Sequence, residues 1–90
     1  MELMINKQKV FIATGGKEFD ANKPALVMLH GAGMDHTVWS MQARYFAHHG
    51  FSVINPDLPG HGRSDGPPPT SIPEYMNWVL ELISELGGYN

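Results

Sequence analysis

The 90-residue chain predicts an α/β fold, and three observations carry that expectation. An apolar run, Ala25 to Leu29, stops abruptly at His30-Gly31-Ala32-Gly33. A second run, Phe51 to Ile54, stops at Asn55-Pro56-Asp57, and a segment of helical length and pattern lies between the two. The order strand, loop, helix, strand, with a crossover of that size, implies parallel neighbouring strands. In such sheets ligands bind beyond the carboxyl ends of the strands, so His30 to Gly33 and the stretch after Asp57 are where function is to be read.

Taken in order, Glu2 to Asn6 and Lys9 to Thr14 are short segments, the second alternating and rich in β-branched and aromatic residues. They read as an antiparallel pair at the sheet edge. Gly15 to Pro24 is polar with breakers at both ends, a surface turn whose one anchor is Phe19. Ala25 to Leu29 has no alternation, which suits a strand covered on both faces and predicts a central position. From Thr37 to His49, Trp39, Ala43, Phe46 and Ala47 form one stripe of a helix, with Gly50 as its stop and either Asp35 or Thr37 as its cap. Phe51 to Ile54 returns to the sheet, and Gly66-Pro67-Pro68-Pro69 is a stiff extended link. The final helix carries Ile72, Tyr75, Met76, Val79, Leu80, Ile83 and Leu86 on a face predicted to pack on the sheet. Ser71 and Glu74 form its capping box, Pro73 is tolerated in its first turn, and Gly87-Gly88 ends it.

Composition excludes several classes. Six basic residues against nine acidic ones give a net charge of −3, and neither sign forms a run, so no nucleic-acid or membrane-surface partner is expected. The absence of cysteine removes disulfides and thiolate chemistry. Met1 to Lys9 has an early acid and no long apolar stretch, unlike a signal peptide, and no apolar run approaches the roughly 20 residues of a membrane span. A cytoplasmic protein is the default expectation, and ninety residues allow one domain at most.

His30-Gly31-Ala32-Gly33, Trp39, and Asp57-Leu58-Pro59-Gly60-His61-Gly62-Arg63-Ser64 occur in that order, each loop following an apolar run. This stretch resembles the N-terminal third of the α/β-hydrolase fold family, in which a His-Gly loop follows the third strand and an Asp-x-x-Gly-x-Gly-x-Ser loop the fourth. The resemblance implies that residues 1–90 are the N-terminal part of a single, incomplete domain, ending before the nucleophile elbow. It implies a hydrolase of ester, epoxide, lactone or carbon–carbon bonds in a small-molecule substrate, using a Ser or Asp nucleophile and no cofactor. The nucleophile, acid and base would lie beyond Asn90, and the chain would be inactive alone. The competing expectation is a non-catalytic fragment that self-associates through its open sheet edge.

Acyl transfer needs backbone donors aimed at the oxygen that becomes negative, and small residues leaving a strand present such donors closely. By resemblance the donor is the Ala32 N–H, in a loop shaped by Gly31, with Gly33 and Trp39 placed beside the substrate. Packing alone accounts for Trp39 equally well. The resemblance makes His30 and Asp57 supports of the loops rather than catalytic groups. His36, His48, His49 and His61 share no ligand spacing on one face, so no metal is expected. Gly62-Arg63-Ser64-Asp65-Gly66 satisfies G-x-S-x-G, but an elbow requires a strand directly before it and a helix directly after. Three prolines follow instead, so Ser64 is expected to hydrogen-bond within a turn.

Overall fold

Strand β1 (Glu2–Ile5) and strand β2 (Gln8–Ala13) form an antiparallel hairpin with Ile5 opposite Gln8. Its two turn residues, Asn6 and Lys7, have φ of 52° and 64°, the mirror-image turn that matches the twist of paired strands. The structure, a computed structural model, describes residues 1–87. Strand β3 (Ala25–Val27) runs parallel to strand β4 (Ser52–Pro56), and β4 pairs antiparallel with β2, giving the order β1-β2-β4-β3. The sheet is therefore the expected one: an antiparallel edge pair followed by parallel strands with a helical crossover.

The expectation that β3 is central is met on one side among the described residues: β3 pairs with β4, and regular pairing ends at Val27, with only the Met28 N–H reaching on to the Ile54 carbonyl at 2.9 Å. The unbroken apolar run reports burial of both faces, and both faces are indeed in contact. Leu26 packs with the Met28–Ala43–Ala47–Val53 cluster, and Val27 packs with the larger cluster on the opposite side. Face burial carries no information about neighbours in the plane of the sheet, so the run does not imply a central strand.

The same alternation along β4 divides the core. Val53 joins the cluster under helix α1 (Ser40–Ala47), and Ile54 joins Ile5, Val10, Ile12 and Leu58 under helix α2 (Ile72–Glu85). Helix α1 buries the predicted stripe of Ala43 and Ala47, with Trp39 and Phe46 at its margins. A 3₁₀ turn, His36–Trp39, precedes it. The cap is Asp35, whose Oδ1 accepts the Thr37 N–H at 2.9 Å and the Thr37 hydroxyl at 2.5 Å.

Helix α2 is capped as the sequence indicates, with one change. Ser71 Oγ accepts the Glu74 N–H at 3.3 Å, while the Glu74 carboxylate reaches back to the Thr70 N–H at 2.9 Å. Among the described residues only part of its apolar surface is covered. Trp78 and Leu82 are buried and Tyr75, Val79 and Leu86 pack beside them, whereas Ile72, Met76 and Leu80 are 72%, 60% and 63% exposed. Much of the predicted stripe thus faces outward, because periodicity marks which positions are apolar but not how broad their partner is. Of the predicted Gly87-Gly88 stop, Gly88 lies outside the described residues. No helix among the described residues is long and apolar enough to cross a membrane.

Candidate functional site

The loop after β4 is built around one carboxylate. Asp57 is fully buried, and its Oδ1 accepts the His36 N–H at 2.7 Å and the His36 ring Nδ1–H at 2.9 Å. Its Oδ2 accepts the Arg63 N–H at 2.8 Å. Burial pushes this carboxyl group's pKa up, but the donors from Arg63 and His36 outweigh burial and hold it below the ordinary value. Gly62 is what allows the loop to close over it: φ there is 50°, and a Cβ would sit 2.3 Å from Asp57 Oδ2.

Ser64 completes the closure. Its Oγ accepts the Phe11 N–H at 3.0 Å and donates to the Asp57 carbonyl at 2.6 Å, joining the loop to β2. Lys9 and Asp65 add a pair of bonds across the same seam, Lys9 N–H to Asp65 Oδ2 at 3.0 Å and Asp65 N–H to the Lys9 carbonyl at 2.9 Å. Asn55, at the end of β4, donates from Nδ2 to the His36 carbonyl at 3.0 Å. A serine with donor and acceptor both engaged in such a seam is positioned as a brace. The G-x-S-x-G match is therefore a turn of this loop, flanked by neither strand nor helix.

The loop after β3 is different. Gly31, Ala32, Gly33 and Met34 are exposed. His30 beneath them is buried, its Nε2 accepting the Leu58 N–H at 3.0 Å and its Nδ1 bonded to the Gly31 carbonyl at 2.7 Å. The Gly33 N–H reaches His61 Nε2 at 3.1 Å, and the Met34 N–H reaches the Gly31 carbonyl at 3.1 Å. Between these, the Ala32 N–H meets no protein acceptor among the described residues. Ala32 borders a cavity of about 570 Å³. Leu29, Ala32 and Leu58 form one wall of it, and the outward stripe of α2, Ile72, Met76 and Leu80, forms the other.

The structure brings Gly31 and Ala32 to the exposed strand end, ties Gly33 to His61, and leaves Trp39 half-buried against the α1 cluster, away from the cavity lining. Sequence reasoning missed the part played by His36 and His61. The signal available was small: both are polar aromatic residues inside or beside the two loops, with partners 21 and 28 residues away. Asp35, His36 and Asp57 place ligand-type atoms within 4.8 Å of one another. Each carboxylate there already accepts N–H or O–H donors, which a cation would have to displace.

Comparison with known proteins now bears on this arrangement. The profile of the α/β-hydrolase fold matches residues 24–85, and the chain belongs to that family. It is 37% identical over 62 residues to the (E)-2-((N-methylformamido)methylene)succinate hydrolase of Acinetobacter baylyi, covering 68% of this chain and 23% of that protein. It is 45% identical over 65 residues to the pimeloyl-[acyl-carrier protein] methyl ester esterase of Aromatoleum aromaticum, covering 72% of this chain and 24% of that one. Among solved structures, a bacterial membrane phospholipase A superposes with a TM-score of 0.84 at 22% identity, over 97% of this chain and 27% of the other, a likeness of fold. The chain spans about a quarter of the length of these curated relatives.

Proposed function

We propose that the chain forms the opening part of a hydrolase that cleaves an ester, epoxide, lactone or similar bond of a small molecule by nucleophilic catalysis, with the Ala32 N–H as an oxyanion donor. The observation that carries this reading is the Ala32 amide itself, exposed at a strand end, without a protein acceptor, and bordering an apolar cavity. Similarity to a succinate-derivative hydrolase and to a methyl ester esterase supports hydrolysis as the reaction class. When a nucleophile adds to a carbonyl, the oxygen gains charge, and a fixed N–H about 3 Å from it stabilises the transition state more than the ground state. Gly31 keeps the approach to that amide open. His30, Asp57 and Ser64 hold the loops and are already engaged, so the nucleophile, base and acid come from outside residues 1–90. The reading places the enzyme in the cytoplasm, takes no cofactor, and leaves the isolated chain without activity.

Ala32→Pro deletes the donor N–H. In the native polypeptide purified from its source, this variant is expected to lower kcat on a short-chain aryl ester by about 10²–10³-fold. The isolated 90-residue chain is expected to show no turnover above a Gly31 and Ala32 double variant. A native protein whose intact mass is the 10.0 kDa of this chain and that hydrolyses nothing would end the catalytic reading.

That outcome would favour a second reading, self-association of two copies through β3. Its outer edge is unpaired among the described residues, and Ala25–Val27 carries no charge to guard it. Sedimentation would then show a concentration-dependent dimer that Ala25→Lys abolishes. A monomer at every concentration would dismiss it.

A further inference from the structure

Two histidines join the loops in reciprocal fashion. His30, from the loop after β3, accepts the Leu58 N–H of the other loop on Nε2 and gives its Nδ1–H to the carbonyl of Gly31 in its own. His61, from the loop after β4, accepts the Gly33 N–H of the other loop on Nε2 and gives its Nδ1–H to the carbonyl of Pro59 in its own. The partners dictate the tautomer. An amide N–H can only donate and a carbonyl can only accept, so each ring carries its proton on Nδ1. The rings lie 5.1 Å apart at 55°.

The consequence falls on two consecutive amides. Gly33 and Ala32 sit side by side in an exposed loop, and Gly33 has φ of 81°, a backbone conformation in which a glycine changes direction without strain. With the Gly33 N–H held by His61, of these two amides only that of Ala32 is left without an acceptor, beside the equally free Gly31 N–H. We infer that His61 is a positioning residue, whose Nε2 engages the Gly33 N–H and thereby makes Ala32, rather than Gly33, the free donor of this pair. Its effect on catalysis rests on the oxyanion reading above, whereas the choice between the two amides does not.

Two substitutions separate acceptor from filler. Phenylalanine keeps a ring beside His30 but has no acceptor, and glutamine has no ring but puts an amide oxygen near the reach of Nε2. In the full 90-residue chain labelled with ¹⁵N, the ring-nitrogen shifts of His61 should report the Nδ1–H tautomer, with a through-hydrogen-bond coupling between Nε2 and the Gly33 amide nitrogen. Hydrogen exchange at Gly33 should be slower than at Ala32 by about tenfold, the size of one ordinary hydrogen bond. His61→Phe should remove that protection and H61Q should keep most of it.

An Nε2–H tautomer in the wild type, or equal exchange at the two amides, overturns the inference. Both are read without mutation, so the wild-type spectra alone decide the matter even where a variant fails to fold. In the native polypeptide, H61F should lower kcat by about tenfold with little change in KM, and H61Q should recover most of it. The expected spectra without any hydrolysis would sink the oxyanion reading and leave the positioning role standing.

Discussion

The two loops that leave β3 and β4 are both rich in glycine and small or polar residues, yet they end in opposite states. The loop after β4 turns its polar groups inward: Asp57 takes three donors, Ser64 uses both its donor and its acceptor, and Asp65 bonds back to β2. The loop after β3 is exposed from Gly31 to Met34 and leaves two successive amides, those of Gly31 and Ala32, without a protein partner among the described residues. The residues that look most reactive in the sequence, an aspartate at a strand end and a serine in G-x-S-x-G, are the framework. The groups with unused bonding capacity are backbone N–H groups, on a glycine and an alanine. A loop whose polar groups are engaged within it braces one whose amides stay open, through His30 and His61.

The comparison breaks first at Asp57. Replacing it with alanine leaves the His36 and Arg63 N–H groups without their acceptor inside a closed loop, at about 1–3 kcal/mol for each buried donor stranded. Asp57→Ala is therefore expected to cost at least about 2 kcal/mol, a large part of the stability of a domain this size. Urea unfolding followed by circular dichroism checks this. A midpoint unchanged from wild type would mean that the β4 loop is not the framework.

Acid makes a gentler version of the same cut. The folded pKa of Asp57 is depressed below its ordinary value of 3.8, so this group's contribution to stability is fully present above that value. It is lost as pH falls from 3.8 down through the folded value, because protonation then favours the unfolded chain. The loss should be smaller than in Asp57→Ala, since a neutral carboxyl still accepts through its carbonyl oxygen. Unfolding midpoints measured from neutral pH down into the acid range below 3.8 should show the fall in wild type, and a variant lacking the carboxylate should show a shallower one.

Much of this arrangement was legible beforehand, and the limits have physical causes. The antiparallel pair, the parallel crossover, the α1 stripe, the Ser71 cap and the supporting roles of Asp57 and Ser64 follow from local signals: periodicity, capping chemistry, resemblance at the two loops, and the wrong flanks of the G-x-S-x-G match. The lateral neighbours of β3 did not follow, because an apolar run reports only its two faces. Nor did the exposure of Ile72, Met76 and Leu80, which depends on what packs against α2 and not on its own periodicity. His61 was passed over because its role needs a partner 28 residues away in a loop whose shape no local rule gives. The choice between Asp35 and Thr37 as cap was open for a related reason: the two residues bond to each other, and only geometry shows which one accepts.

The smallest effect is the sharpest test, because one pair of side chains can be exchanged in opposite directions in the two loops. Ser64→Ala removes a hydroxyl that satisfies the Phe11 N–H and bonds the Asp57 carbonyl, and it should cost about 1–3 kcal/mol. Ala32→Ser adds the same hydroxyl to an exposed residue whose backbone N–H remains, and should change stability by no more than about 0.5 kcal/mol in either direction. Both follow from one urea series. If the two variants shift the midpoint equally, the loops do not differ in how tightly they are held, and the reason for expecting a pre-set amide at Ala32 disappears. If Ser64→Ala alone destabilises, the rigidity lies in the β4 loop, and the β3 loop is free to be tuned by exchange of its exposed side chains.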